Sequence, residues 1–167
     1  MLIFENKPGT YIAKVADFGF STHFQGEQDL VKMSKSVPWN APEHHYRHFN
    51  PSAAKRIDIY SFGLLCFWVV FGASLDALPL PPQTASDKGQ FTSFEEHLLE
   101  LNLAECRMYD SNNELSEWAT WLVMESGDFK NGIDEKLAQF FNLTLAYKPE
   151  ERCIDFEQLL NLLAPNR

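Results

Sequence analysis

Cysteine is scarce in this 167-residue chain, where Cys66, Cys106 and Cys153 are odd in number and far apart. That excludes a disulfide framework and a closely spaced metal knuckle, so reduced thiols in a cytoplasmic setting are expected. Positive charge is also short, with 14 Lys plus Arg against 23 Asp plus Glu and a formal net charge of −9. Binding to a phosphate backbone needs the opposite balance, so no nucleic-acid partner is expected, although a local basic patch is compatible with the total. Long apolar runs are missing: Phe62–Phe71 spans ten residues, whereas a helix needs about twenty to cross a bilayer. Glu5 and Lys7 interrupt the start, where a secretory signal would carry its apolar core. No membrane partner is expected. Repeats and low-complexity tracts are absent too. What is present suffices for a core, since 45% of the residues are hydrophobic and 14% aromatic, well clear of the composition that leaves a chain disordered.

The hydrophobic pattern changes along the chain. Leu2-Ile3-Phe4 and Tyr11 to Val15, separated by the Asn-Lys-Pro-Gly chemistry of Glu5 to Thr10, read as a short β-hairpin with a loose connection. From Ala16 to Pro38 periodicity disappears while glycine and serine accumulate, which marks a long loop of the kind that carries function in compact domains. Glu43 to His48 reads as a short helix ended near Asn50-Pro51, and Ala53 to Phe71 as a long helix, apolar on nearly all sides and so buried at the centre of the core. Leu78-Pro79-Leu80-Pro81-Pro82 breaks the pattern and reads as a connecting loop rather than a polyproline ligand. Apolar stripes at helical spacing then predict helices around Phe94 to Leu103, Leu115 to Val123, Ile133 to Ala146 and Ile154 to Leu163. The sequon Asn142-Leu143-Thr144 falls inside one of these stripes, a poor place for a glycan. The expected architecture is mainly α with a small β entry.

Two triplets frame the long loop. Asp17-Phe18-Gly19 follows the second strand of the hairpin, and Ala41-Pro42-Glu43 closes the loop 24 positions after Asp17. Asp58-Ile59-Tyr60-Ser61-Phe62-Gly63 and Lys148-Pro149-Glu150-Glu151-Arg152 follow at wider spacing. Taken together these four features resemble the eukaryotic protein kinase family, of serine/threonine type, over nearly the whole chain. Trp39-Asn40 ahead of Ala41, with an aromatic-rich central helix, also resembles fungal kinase-like proteins. The resemblance implies the large, C-terminal lobe of a kinase domain: hairpin 2-15, activation segment 17-43 and helical subdomain 44-163.

The chemistry behind those residues is separable from the family name. Phosphoryl transfer is mostly positioning and charge neutralisation, so an acidic side chain must hold Mg²⁺ against the phosphates; the resemblance gives that role to Asp17. It makes Phe18 a hydrophobic plug and Gly19 the point where the backbone changes direction. It pairs Glu43 with Arg152 as a structural anchor for the loop end, and places Ala41 and Pro42 at the close of the activation segment. It makes Asp58 a support for the catalytic loop, with a helix cap as the other reading of that residue, and places Gly63 on the central helix. Ser34, Ser36 and Thr22 are candidate phosphorylation positions, with Lys32 and Lys35 nearby as cationic partners. His44 and His48 stand i, i+4 on the expected short helix, a spacing zinc can use, but no third ligand is evident and packing histidines are the simpler reading.

The rest of a kinase cleft does not occur in these residues. There is no Gly-x-Gly-x-x-Gly loop, no strand lysine for the nucleotide, and no His-Arg-Asp loop with its catalytic base. The resemblance therefore implies ATP and Mg²⁺ as cofactors of the intact family but not of this chain alone, and no catalytic residue in it. It implies a lobe cut just after its catalytic loop, with a protein substrate, a protein partner or a missing N-terminal lobe as the expected partner. A pseudokinase-like scaffold is the alternative.

Overall fold

A computed structural model describes residues 2–46, 48–72, 113–126 and 133–164. The expected helix around Phe94 to Leu103, the proline-rich stretch from Leu78 and Cys106 lie outside them.

The chain begins with an antiparallel hairpin of β1 (Leu2–Lys7) and β2 (Thr10–Lys14), in which Phe4 faces Ile12 and Ile3 faces Ala13. The connection is tighter than the sequence suggests. Pro8 and Gly9 make the whole turn, Gly9 takes φ +76°, and its N–H donates to Glu5 Oε1 at 3.1 Å. Glycine suits that left-handed position because it has no Cβ to clash. Residues 3–15 are all exposed.

The stretch from Ala16 to Pro38 holds no helix or strand, only a single antiparallel bridge between Val31 and Phe49. Ala41 then leads into a 3-10 turn, Pro42–His45. The short helix expected from Glu43 to His48 forms only as that 3-10 turn, which ends at His45, so His44 and His48 do not share a helical face. Tyr46 is extended, and the backbone of Phe49, whose side chain is buried, is taken by Val31.

Helix α1 (Pro51–Phe71) starts where Asn50 Oδ1 accepts the N–H of Ala53 at 2.9 Å and proline fills the first helical position, whose N–H would be unpaired anyway. Helices α2 (Glu114–Ser126) and α3 (Ile133–Leu145) pack beside one another, with Ser116 Oγ donating to Asn142 Oδ1 at 2.9 Å across the contact. The asparagine of the sequon is thus engaged between helices. A second 3-10 turn, Pro149–Glu151, leads to α4 (Phe156–Leu163), capped by Asp155 Oδ1 accepting from Gln158 N at 2.9 Å.

The core is aromatic. Phe67 of α1 lies 5.2 Å from Trp118 of α2 and 5.7 Å from Phe141 of α3, ring centroid to centroid and edge to face. Gly63 lets α1 and α3 close: a Cβ there would lie 2.6 Å from Thr144 Oγ1 and 2.9 Å from Leu145 Cδ2. The expectation that α1 is buried all round is corrected, because Phe62, Trp68, Val69 and Val70 retain exposed surface. The described neighbours of α1 stack mainly on its Tyr60, Gly63 and Phe67 side; Phe62 and Trp68 are half-covered, by Phe140 and Phe156 and by Trp39, while Val69 is the most exposed of the four. Among the described residues no helix is long and apolar enough to cross a membrane.

Candidate functional site

The most heavily bonded residue in the described chain is Arg152. Its guanidinium meets the Glu43 carboxylate in a two-pronged pair, with Nη1 to Oε1 at 2.5 Å and Nη2 to Oε2 at 2.9 Å, and both residues are buried. The remaining donors are also engaged: Nε bonds the carbonyl of Ala146 at 2.7 Å, Nη2 that of Tyr147 at 2.8 Å and Nη1 that of Arg56 at 3.2 Å. The plane lies over the Tyr60 ring, 4.6 Å from its centroid. A planar fork with five donors can satisfy a carboxylate and three carbonyls together, which a lysine cannot. One side chain thereby fastens the loop end, the second turn of α1 and the end of α3 to each other.

Glu43 reaches this position because the segment before it is also held down. Ala41 and Pro42 are buried, Ser61 Oγ of α1 donates to the Trp39 carbonyl at 2.8 Å, and Trp39 packs edge-on against Trp68 at 6.4 Å. The structure therefore brings together Ala41, Pro42 and Glu43 of the loop end with Arg152, while Gly63 serves the contact of α1 with Thr144 and Leu145.

Asp17, Phe18 and Gly19 lie apart from that joint. Asp17 has φ +65°, a region that aspartate tolerates better than most residues, and its Oδ1 accepts the N–H of Gly19 at 3.3 Å. Phe18 is 67% exposed, so among the described residues it is not a buried plug. Mg²⁺ takes about six oxygen ligands and usually two or more anionic groups. Among the described residues no group of three or more His, Cys, Asp or Glu side chains could hold a metal ion. Asp17 could supply one ligand, and no chemical step follows from it alone.

Asp58 sits in the second turn of α1, so a cap is not its role; Asn50 caps that helix. The residue retains exposed surface, yet enough protein surrounds the carboxyl for desolvation to raise its pKa above the ordinary value, and no donor among the described residues reaches it. Ser34 and Ser36 are exposed; the Ser36 N–H donates to Asn40 Oδ1 at 3.0 Å, while Ser34 faces a groove that also holds Lys32 and Lys35. Burial pushes the Cys66 thiol up to about 11 and raises that of Cys153, so neither is a reactive thiolate.

Comparison with known proteins gives one distant relationship. The chain is similar to a leucine-rich repeat receptor-like serine/threonine-protein kinase of Arabidopsis thaliana, 25% identical over 142 residues that make up 83% of this chain and 12% of the relative. The chain thus spans about an eighth of that curated protein's length. No family model matches, and no solved structure matches. A distant kinase relationship is what the comparisons support.

Sequence reasoning named the two charges of the joint and Ala41 and Pro42 beside them, but not the groups that complete the guanidinium's contacts. Arg56, Ala146 and Tyr147 contribute only carbonyl oxygens, which every residue type carries, so no sequence signal distinguishes them. Tyr60 was within reach as an aromatic one turn from Arg56, a platform for a guanidinium once α1 is known to be helical.

Proposed function

We propose that this chain is the helical large lobe of a protein-kinase-type domain of serine/threonine class, and that by itself it transfers no phosphate. The buried Glu43–Arg152 pair carries the reading: it links the end of the loop opened by Asp17-Phe18-Gly19 to the turn before the last helix, across 109 positions. The distant similarity to a kinase over most of the chain adds support. In such a domain the Asp17 carboxylate would serve a metal–nucleotide complex, while the base and the nucleotide lysine would come from motifs that these 167 residues do not contain. A catalytic unit that lacks several of its cooperating members retains little of its rate.

A second reading, a non-catalytic interaction module, is favoured by one observation. Ile3, Phe4, Tyr11 and Ile12 of the hairpin, followed by Val15, Phe18 and Phe20, form a succession of exposed apolar side chains, more than a solitary surface residue needs by way of explanation.

Incubation of the purified chain with Mg²⁺, γ-labelled ATP and a generic protein substrate tests the first reading. The expected result is no incorporation above a blank. Incorporation that disappears in Asp17→Ala would overturn it. Binding of an apolar dye to the native chain tests the second, and a chain that binds none would remove its basis.

A further inference from the structure

Between the exposed loop and the segment that carries His44 to His48 lies an open groove of about 1060 Å³. Lys32, Ser34 and Lys35 form one wall and His44, His45 and His48 the other. The walls are fastened together, since Val31 and Phe49 exchange two backbone hydrogen bonds of 3.0 and 2.9 Å just beyond them. No described carboxylate lines the groove, although the chain carries 23 acidic residues against 14 basic ones. A cationic concavity in an acidic protein cannot be ascribed to average composition.

The second observation concerns His44. It is 6% exposed, its ring stands edge-on to Phe49 with centroids 5.7 Å apart, and among the described residues neither ring nitrogen has a hydrogen-bond partner. Buried polar atoms are normally satisfied, and an unsatisfied pair on the wall of a groove calls for a ligand. The adjacent Glu43 does not serve it, because both carboxylate oxygens are committed to Arg152. His45 is oriented differently, with Nδ1 2.9 Å from the Pro42 carbonyl.

We propose that this groove binds a phosphate-type dianion, held by the Lys32 and Lys35 ammonium groups and the Ser34 hydroxyl, with the His44 ring turning in the wall to donate an N–H. Hydrogen bonds in which donor and acceptor are both charged are among the strongest available to a protein, and two ammonium groups match the two negative charges. The site is independent of the phosphoryl-transfer reading above, since it uses neither Asp17 nor a nucleotide. The ligand is either free inorganic phosphate or a phosphate monoester, and the chemistry of recognition is common to both.

Proton NMR of the imidazole ring signals tests the assignment. The full chain is titrated with inorganic phosphate, and separately with O-phosphoserine, at ionic strength held constant with sodium chloride. One histidine signal, absent from His44→Leu and from His44→Gln, is expected to shift saturably. The double variant Lys32→Met/Lys35→Met should weaken the apparent affinity about tenfold or more, whereas Lys55→Met, an exposed lysine of α1 away from the groove, should leave it unchanged. Tighter binding of O-phosphoserine identifies an ester as the ligand, and equal binding identifies the free anion; either supports the site. No saturable shift with either probe, or equal weakening in Lys55→Met, overturns it.

Discussion

The hairpin and the helices α1 and α3 show two ways of using apolar residues. Ile3, Phe4, Tyr11 and Ile12 are the β-branched and aromatic residues that favour strands, yet each of them is exposed. Tyr60, Leu64, Phe67, Phe140 and Phe141 are almost wholly buried, against one another and against α2. Local pattern makes both elements, but only the helices gain the free energy of burial, roughly 25 cal/mol per Å² of apolar surface. A two-stranded hairpin without a packed face is marginal in water. The stability of this chain therefore resides in its helices, and the loop between the two regions is held at Val31, which bonds Phe49, and where Trp39 to Glu43 meets α1.

Substitutions can break this contrast in order of expected size. Arg152→Met should cost about 3 to 5 kcal/mol in urea denaturation, because the buried Glu43 carboxylate loses its partner. Phe67→Ala, which removes the ring shared by Trp118 and Phe141, should cost a comparable 3 to 5 kcal/mol by opening a cavity. Gly63→Ala should cost about 1 to 3 kcal/mol, since α1 and α3 must separate to admit the methyl group. Ile12→Thr in the hairpin should change stability by no more than about 0.5 kcal/mol, the usual range for an exposed site. A hairpin substitution as damaging as Phe67→Ala would abolish the distinction drawn here.

The pH dependence sharpens the same contrast at its boundary. Burial lowers the pKa of His44, with Lys35 adding to the effect and Glu43 opposing it. The unfolded chain thus takes up this proton first as pH falls, so the stability associated with neutral His44 is complete above about pH 6.5. It is lost as pH drops through the lower folded-state value. In phosphate-free buffer, thermal melts of the wild type should fall over that range, and those of His44→Leu should fall less steeply.

How much of this could be read from the sequence depended on how local each signal is. The stripe Leu115, Trp118, Ala119, Leu122 and Val123 is a property of consecutive residues, and α2 runs through it. The Asp155 and Asn50 caps likewise depend on neighbours three positions away. The short helix expected at Glu43 to His48 stops at His45 as a 3-10 turn, and Phe49 beyond it pairs with a distant residue, Val31. The exposed side of α1 was hidden for the same reason: composition reports that Trp68, Val69 and Val70 are apolar but not which flank its neighbours occupy. At the joint, Glu43 and Arg152 stood out through family resemblance, whereas the carbonyls that complete the guanidinium's bonding carry no mark in the sequence. The groove divides similarly. Its lysines and histidines were each visible, and only the fold sets them face to face.

The Glu43–Arg152 joint connects the two regions and carries the functional reading, so it is where the account is most exposed. A double-mutant cycle with Glu43→Gln, Arg152→Met and their combination, followed by urea denaturation, measures it directly. The account predicts strong coupling, of order 2 to 3 kcal/mol, with the double variant more stable than the sum of the single losses implies. Losses that add to within about 0.5 kcal/mol would mean that the two residues act independently, and would contradict it.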